Sequence, residues 1–433
     1  MNKETYKKIL INLLSILAIV SGMSSWQFNI PFTLTIFDVL AIVIILAFIF
    51  GVLIGQIKPI IIKIIKPYLI FIWLIIFIKI FSGIKILLKY NYADSFEQYF
   101  FAILSEITYT IFFSICIVLL SQITIKERAK IVKCFIFGVF LSSVYGITHM
   151  IFFLKSGVYI DDIIWQYVSI NKSTEPTNID WAVLGMPRGI GFPGVNAAAT
   201  YNVLAIPLLL AYYFKERSNY LLIILIVIIA GMLVTFSRTG LISFLVSTLI
   251  YFYLERKKRK YLLRIPIGFG LLITGLFIYY QEYINLIVAS RSGIDWSRIG
   301  LFKGAFKLIS ENLILGVGVN NYSIVNKTIA DIHIIDHNLH NSWLSIFVET
   351  GLIGLLIFIF FMFYMIRVSI KKYTFFSNAL ISTLIGVFIG ALTNSMFDIF
   401  YFNYWLVLLF AHVLLENNSN YNIPIQHHNS ISF

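Results

Sequence analysis

Long apolar stretches recur along the whole chain and are separated by shorter polar segments. A helix needs about 20 apolar residues to cross the hydrocarbon core of a bilayer, and each stretch is close to that length. Only a helix suits such a stretch, because lipid offers no partner to an unpaired backbone polar group. The pattern predicts about twelve membrane helices in an all-α polytopic bundle, a single integral membrane domain over residues 1–433. The candidates lie near residues 9–24, 36–55, 67–82, 99–120, 134–154, 196–214, 220–236, 239–254, 265–281, 343–366, 378–396 and 402–416.

Lysine and arginine in the connecting segments indicate the orientation of the bundle. They concentrate in alternate segments, and an excess of positive charge marks the cytoplasmic side of a membrane protein. The predicted cytoplasmic charges are Lys3, Lys7, Lys8, Lys58, Lys63, Lys66, Lys126, Arg128, Lys130, Lys133, Lys215, Arg217, the basic run at 255–264, Arg367, Lys371 and Lys372. Both termini are therefore expected inside. Two long loops, 155–195 and 282–342, are expected on the extracytoplasmic face.

Composition excludes several classes of protein. A hydrophobic fraction of 59% and a mean hydropathy of +0.89 are too high for a soluble protein, whose surface must be mostly polar. The net charge of +13 is explained by the cytoplasmic segments, so it indicates no nucleic-acid partner. Cys116 and Cys134 lie inside or at the edge of apolar stretches, which argues against a disulfide framework or a thiolate metal site.

Arginines gather at the predicted outer face, where no acidic residue accompanies them in the same motif. Arg188 lies in the first long loop, Arg238 in the tight turn between two apolar stretches, and Arg291 and Arg298 in the second long loop. A guanidinium binds phosphate oxygens in bidentate geometry and stays charged in any surroundings, so several together would suit a pyrophosphate. Snorkelling to lipid headgroups or capping of a loop are the alternatives. For Arg238 we favour a ligand, because burying an unpaired charge in so tight a turn is costly.

The second long loop also predicts a helix. Apolar residues recur at helical spacing in 298–322, with Lys303 and Lys307 between them. We expect this amphipathic helix to lie on the membrane surface and to end at Gly316 and Gly318.

Three histidines stand directly before the next apolar stretch. His333 and His337 have the i,i+4 spacing of helical metal ligands, but no carboxylate repeats the spacing, and we expect no metal. His340 suits a general base, because the unperturbed pKa of histidine is close to neutral. Asn341 could instead cap the following membrane helix.

Two ionisable residues remain inside apolar stretches. Glu106 and His149 each occupy a candidate span, where an ionisable side chain marks either a functional site or a polar pair between helices.

The segment HNSWLSIFVETGLIG (340–354) resembles the His-Asn-x9-Gly-x-x-Gly signature of the O-antigen ligase and polymerase superfamily. Three further landmarks of that family are similar here and follow the same order. They are RGIGFPGVNAAA (188–199), SRTG (237–240) and the arginine-led helix ending in Gly-x-Gly at 298–322. All of these landmarks lie where the charge pattern places the outer face.

The resemblance implies a glycosyltransferase with the membrane-embedded C-type fold, inverting and independent of metals and cofactors. Its donor would be an oligosaccharide on undecaprenyl pyrophosphate at the outer face of the bacterial cytoplasmic membrane. A flippase and chain-length regulators are the candidate protein partners. The expected function is polymerisation of a surface polysaccharide of the O-antigen or capsule type. Ligation to the lipid A core is the alternative within the superfamily, although Leu355 and Leu356 replace the threonine pair that ligases often carry.

Residue roles follow from the same resemblance. His340 would be the base, with Arg238 and Arg298 completing the catalytic set by holding the pyrophosphate. The remaining site candidates share an outer position and would bind substrate: Arg188, Asn341, Glu349, Arg291 and His337. We expect Glu349 either to orient His340 or, as we prefer, to neutralise Arg238.

Two other classes of function compete with this one. A lipid-linked oligosaccharide flippase or another secondary transporter would be expected to carry midplane charges and matching broken helices in two halves, and the sequence shows no internal repeat. A non-catalytic partner in an envelope complex would have no reason to place Arg238 in so tight a turn.

Overall fold

The computed structural model describes most of the helical part of the chain. The described residues are 3–21, 27–28, 34–57, 65–90, 96–157, 160, 195–235, 237–256, 292–319, 322, 339, 341–392 and 400–415. The candidate span at 265–281 and the first long loop from 161 to 194 lie outside them.

Helices dominate the described residues. They are α1 (Lys3–Ser21), α2 (Ile36–Leu53), α3 (Lys66–Tyr90), α4 (Phe96–Gln122), α5 (Ile125–Ser156), α6 (Val195–Glu216), α7 (Asn219–Val234), α8 (Arg238–Glu255), α9 (Ser292–Glu311), α10 (Ser342–Lys372), α11 (Phe375–Gly390) and α12 (Phe400–Leu415). Gln27–Phe28 and Leu34–Thr35 form a short antiparallel hairpin, β1 and β2, between α1 and α2.

Several described helices are long and apolar enough to cross a membrane. Those that meet both criteria are Lys66–Ile86 in α3, Tyr99–Gln122 in α4, Ile125–Ser156 in α5 and Ser342–Lys372 in α10. Shorter apolar helices are Phe37–Leu53, Asn219–Val234 and Phe375–Gly390. A helical membrane protein is thereby confirmed. The number of spans, the sides of the termini and the topology of the long loops stay predictions.

Local sequence explains where α5 begins and ends. Thr124 and Glu127 form a capping box, in which each side chain accepts a hydrogen bond from the backbone N–H of the other residue. At the other end Gly157 adopts the left-handed conformation and its N–H donates to the Phe153 carbonyl oxygen. Both ends of this long helix are thus fixed by their own neighbours in the chain.

Buried apolar residues form two separate clusters. The larger one joins most of the bundle, from α1 and α2 to α12. The smaller one links α3, α9 and α10 and contains Ile86, Leu301, Ala305, Leu308, Ile309, Val317, Tyr322, Leu339, Leu344 and Val348. We call it the outer cluster, because the charge pattern places it at the extracytoplasmic end.

The outer cluster corrects one expectation about α9. Leu301, Ala305 and Leu308 are at most 1% exposed and pack on protein, whereas Phe306 is 61% exposed. The apolar face of α9 therefore lies against the bundle, whereas a helix lying on the membrane surface would turn this face toward lipid. Lys303 and Lys307 are exposed on the other face, as the amphipathic pattern predicts.

Candidate active site

Arg238 is the first residue of α8, and the residues before it fix the turn. The Ser237 hydroxyl accepts a hydrogen bond from the Gly240 N–H at 3.3 Å, which makes Ser237 the N-cap of the helix. Thr235 Oγ1 accepts from the Ser237 N–H, also at 3.3 Å. Ser237 thus stabilises the start of α8 at Arg238.

The Arg238 side chain itself is exposed. Our argument that its charge is buried is therefore wrong. Among the described residues its guanidinium has no hydrogen-bond or ion-pair partner, and it adds to the partial positive charge of the α8 N-terminus. An exposed guanidinium at a helix N-terminus is accessible to an anion, which both positive charges would attract.

Because Gly240 has no side chain, the turn at Ser237–Arg238 can pack closely against α6. A Cβ added at Gly240 would lie 2.6 Å from Ala199 Cβ and 2.8 Å from Met232 Cε, closer than real side chains approach. The segment around Ala199 and the Ser237–Arg238 turn are two of the family landmarks. The structure therefore places these two landmarks in direct contact.

Helices α8 and α11 run antiparallel, which locates Arg238 relative to the end of α11. At one end Asn378 Nδ2 donates to Glu255 Oε1 at 2.7 Å. Further along, a Cβ at Gly386 would lie 2.7 Å from Ser247 Cβ and 2.8 Å from the Ser243 carbonyl oxygen. Arg238 precedes Ser243 by about 7.5 Å of helix rise. It therefore lies level with, or just beyond, the C-terminal end of α11.

Asn341 fastens the start of α10 to that same end of α11. Its Oδ1 accepts from the Leu344 N–H at 3.0 Å, and its Nδ2 donates to the Leu392 carbonyl oxygen at 2.9 Å. The Ser342 N–H donates to the Ala391 carbonyl oxygen at 3.0 Å. The capping interpretation of Asn341 is confirmed, and it explains this residue without a substrate contact. Arg238 and Asn341 thus flank one helix end.

Helix α10 is broken at Gly351, inside the His-Asn-x9-Gly-x-x-Gly motif. Gly351 has φ 64° and ψ −167°, a backbone conformation that residues with a side chain rarely adopt. The backbone groups freed by the break bond to the segment after α9. The Val317 and Gly318 N–H groups donate to the carbonyl oxygens of Val348 and Glu349, both at 2.8 Å. In return the Leu352 N–H donates to the Leu313 carbonyl oxygen at 2.8 Å.

Glycines at the end of the 298–322 landmark allow the segment after α9 to contact the break in α10. A Cβ at Gly316 would lie 2.5 Å from the Gly351 nitrogen, and one at Gly351 would lie 2.3 Å from the Ile314 carbonyl oxygen. The Gly-x-Gly end of α9 and the broken helix are therefore in backbone contact. Arg298 lies on α9, so the helix that carries it is attached to the helix that begins after His340. The side chain of Arg298 lies outside the described residues.

Glu349 contacts a cation that the sequence analysis did not consider. Lys79 Nζ on α3 lies 3.1 Å from Glu349 Oε2 and 3.1 Å from Glu106 Oε1. One interpretation of Glu106, as a member of a polar pair between helices, is confirmed. The signal was available, because Lys79 is an ionisable residue inside a candidate span. The expected role of Glu349 toward Arg238 or His340 stays a prediction.

The other predicted site residues cannot be placed. His340, His337, Arg188 and Arg291 lie outside the described residues, as does His333. No group of three or more possible metal ligands occurs in the described part of the chain, which does not include these histidines. A metal-free site stays a prediction.

A comparison with known families supports the superfamily seen in the sequence motifs. Residues 221–359 match a family model described as O-antigen ligase. Over these residues the chain is similar to the O-antigen ligase and polymerase superfamily. The matched segment runs from α7 into α10 and contains Arg238, Arg298, Asn341 and Gly351. Members of the family are glycosyltransferase-like enzymes, and the resemblance seen in the sequence is confirmed. No curated protein matches the chain.

Proposed function

We propose that this protein polymerises a bacterial surface polysaccharide of the O-antigen or capsule type. It would transfer a glycan from undecaprenyl pyrophosphate to an acceptor sugar hydroxyl at the outer face of the cytoplasmic membrane. The observation that supports the proposal is that Asn341 bonds to the end of α11, and helix rise along the neighbouring α8 places Arg238 level with or just beyond that end. Both residues lie inside the segment that matches the O-antigen ligase family.

The proposed chemistry is a single in-line displacement. The acceptor hydroxyl oxygen forms a bond to the anomeric carbon while the bond from that carbon to the pyrophosphate oxygen breaks, which inverts the configuration. His340 takes the hydroxyl proton as general base. Arg238 and Arg298, with Arg188 as a further clamp, counter the negative charge that grows on the leaving pyrophosphate. Preorganised guanidinium groups can supply this stabilisation in place of a metal ion.

Cationic residues favour a polymerase over a ligase. In a polymerase both the donor and the acceptor carry a lipid pyrophosphate, so a surplus of positive charge serves both. Lys303, Lys307 and Arg238 are exposed in the structure. The Leu pair is weaker support, because Leu355 packs against the main cluster and Leu356 is 45% exposed on a membrane helix. Their apolar character therefore has a packing explanation.

Deletion of the gene separates the candidates. Loss of a polymerase should leave single repeat units on the carrier or the surface, without the ladder of long chains. Loss of a ligase should leave full-length chains on undecaprenyl pyrophosphate and bare lipid A core. Loss of a flippase should leave the lipid-linked unit facing the cytoplasm. Gel analysis of the surface polysaccharide, combined with the size of the glycan on extracted undecaprenyl pyrophosphate, distinguishes the three when the wild-type gene is restored as control. Either of the last two results would overturn the proposal.

A further inference from the structure

Three helices meet at one ionic site, the Lys79 triad, made of Lys79, Glu106 and Glu349. Lys79 Nζ lies 3.1 Å from one oxygen of each carboxylate. The side chains are 18%, 15% and 20% exposed, so all three are mostly buried. The Lys79 ammonium therefore pairs with two carboxylates, that of Glu106 on α4 and that of Glu349 on α10.

The triad lies below the outer ends of its helices. By helix rise, Lys79 lies about 16 Å before Tyr90, Glu106 about 15 Å after Phe96, and Glu349 about 10 Å after Ser342. These depths are similar, although the three helices run in different directions. Charges at such depth are costly unless they are paired, so the pairing constrains how α3, α4 and α10 sit together.

A close backbone crossing lies directly beside the triad. Gly83 follows Lys79 by about one turn of α3. A Cβ added at Gly318 would lie 2.2 Å from Gly83 Cα, and the Ser82 hydroxyl donates to the Leu315 carbonyl oxygen. The segment after α9 is thus held between α3 on one side and the break in α10 on the other. Glu349 is the charged residue nearest that break, two positions before Gly351.

We propose that Lys79 is a positioning residue of the transferase. By pairing with Glu349 and Glu106, Lys79 fixes the outer part of α10 and the attached end of α9. It thereby sets the separation between α9, the helix that contains Arg298, and Asn341 at the start of α10. The inference rests on the proposed function, since it concerns the geometry of that same site, and no contact of Lys79 with substrate is required.

Hydrogen–deuterium exchange tests the positioning without any assay of activity. In Lys79→Met, Glu106 and Glu349 lose their shared cation and repel each other. The amides that join the two segments, those of Val317, Gly318 and Leu352, should then exchange about 10-fold faster or more, because local opening becomes easier. Lys79→Arg should keep wild-type exchange. Lys133→Met, which removes one partner of the 2.8 Å pair with Glu216, is the matched control and should leave these amides unchanged.

Kinetics supply the second measurement. Misplaced groups reduce the rate of the chemical step while ground-state binding persists, so kcat in Lys79→Met should fall by about 10-fold or more with KM for the lipid-linked donor nearly unchanged. Lys79→Arg should recover most of kcat. A fall in both Lys79 variants alike, or a change in KM alone, would contradict a positioning role.

A charge-free variant separates positioning from simple neutralisation. Lys79→Met combined with Glu106→Gln and Glu349→Gln leaves no unpaired charge, so the protein should accumulate in the membrane at the wild-type level while exchange stays fast and kcat stays low. Wild-type exchange and kcat in this variant would overturn the proposal. If the wild-type protein shows no glycosyl transfer at all, the proposed function fails, whereas the exchange result still decides whether Lys79 orders the junction.

Discussion

Two helix junctions carry the landmarks of this family, and they are built in different ways. At the first, α8 packs on α11 and α6 through small residues, with Gly240 against Ala199 and Gly386 against Ser247. Both α8 and α11 stay regular. At the second, α10 breaks at Gly351 and exchanges backbone hydrogen bonds with the segment after α9. The first is close packing between the surfaces of regular helices, and the second is an exchange of main-chain hydrogen bonds at a broken helix.

The difference assigns distinct tasks to the two junctions. Close packing of small residues between regular helices gives a rigid frame, and Arg238 projects from its end as an exposed cation. The broken helix instead depends on glycine conformations and on one buried ammonium with two carboxylates. We therefore expect changes at the first junction to act through Arg238 itself. Changes at the second should act through the alignment of α9 and α10.

The largest effect should come from the residue just before α10. His340→Ala removes the proposed base, and loss of a general base costs about 10²- to 10⁴-fold in rate. The protein should insert and accumulate normally, because the cap of α10 is Asn341. Polymer ladders on gels, with membrane protein level measured in parallel, check this. His337→Ala is the comparison and should act more mildly; equal loss in both, together with inhibition by chelators, would favour a metal site.

Arg238→Lys should have the next largest effect. It keeps the charge but loses the planar fork that binds two phosphate oxygens, so activity should fall by about 10- to 100-fold. Because the side chain is exposed, the protein level should stay near normal. The same change at Arg217, a predicted cytoplasmic residue, is the control. Full activity in Arg238→Lys would remove the central element of the proposed site.

Gly351→Ala tests the second junction against the first. A side chain at Gly351 would be held at a positive φ and would meet the Ile314 carbonyl oxygen, which costs about 1–3 kcal/mol in strain. Gly386→Ala would bring a Cβ within 2.7 Å of Ser247 Cβ and 2.8 Å of the Ser243 carbonyl oxygen, so α8 and α11 would have to move apart, but both helices stay regular. Thermal unfolding in detergent should show a lower stability for both variants. Activity per folded molecule should fall in Gly351→Ala and persist in Gly386→Ala; the reverse order would show that the break is not tied to the site.

The sequence predicted regular features better than junctions. The apolar pattern located the centre of α5, predicted near 134–154, but it missed the first turns of the helix, which starts at Ile125 after the Thr124 cap. The cap at Asn341 was recognised from its place directly before an apolar stretch. The partner of Glu349 was missed, because Lys79 and Glu349 are far apart in the chain and only the packing of α3 on α10 brings them together. The exposure of Arg238 was misjudged because the sequence gives no depth for a turn between two apolar stretches.

The smallest effect should separate two helix caps that look alike. Asn341 caps α10 and Thr374 caps α11, each with a side-chain oxygen that accepts a backbone N–H. Replacing either by Ala should cost about 1 kcal/mol of stability. Asn341 also donates to the Leu392 carbonyl oxygen and carries the backbone next to His340, so its loss should lower activity several-fold as well. Thr374→Ala lies at the opposite end of α11 and should keep wild-type activity at equal stability. Equal activity in the two variants would mean that Asn341 acts only as a helix cap. The attachment of α10 to the end of α11 would then not affect the placement of His340.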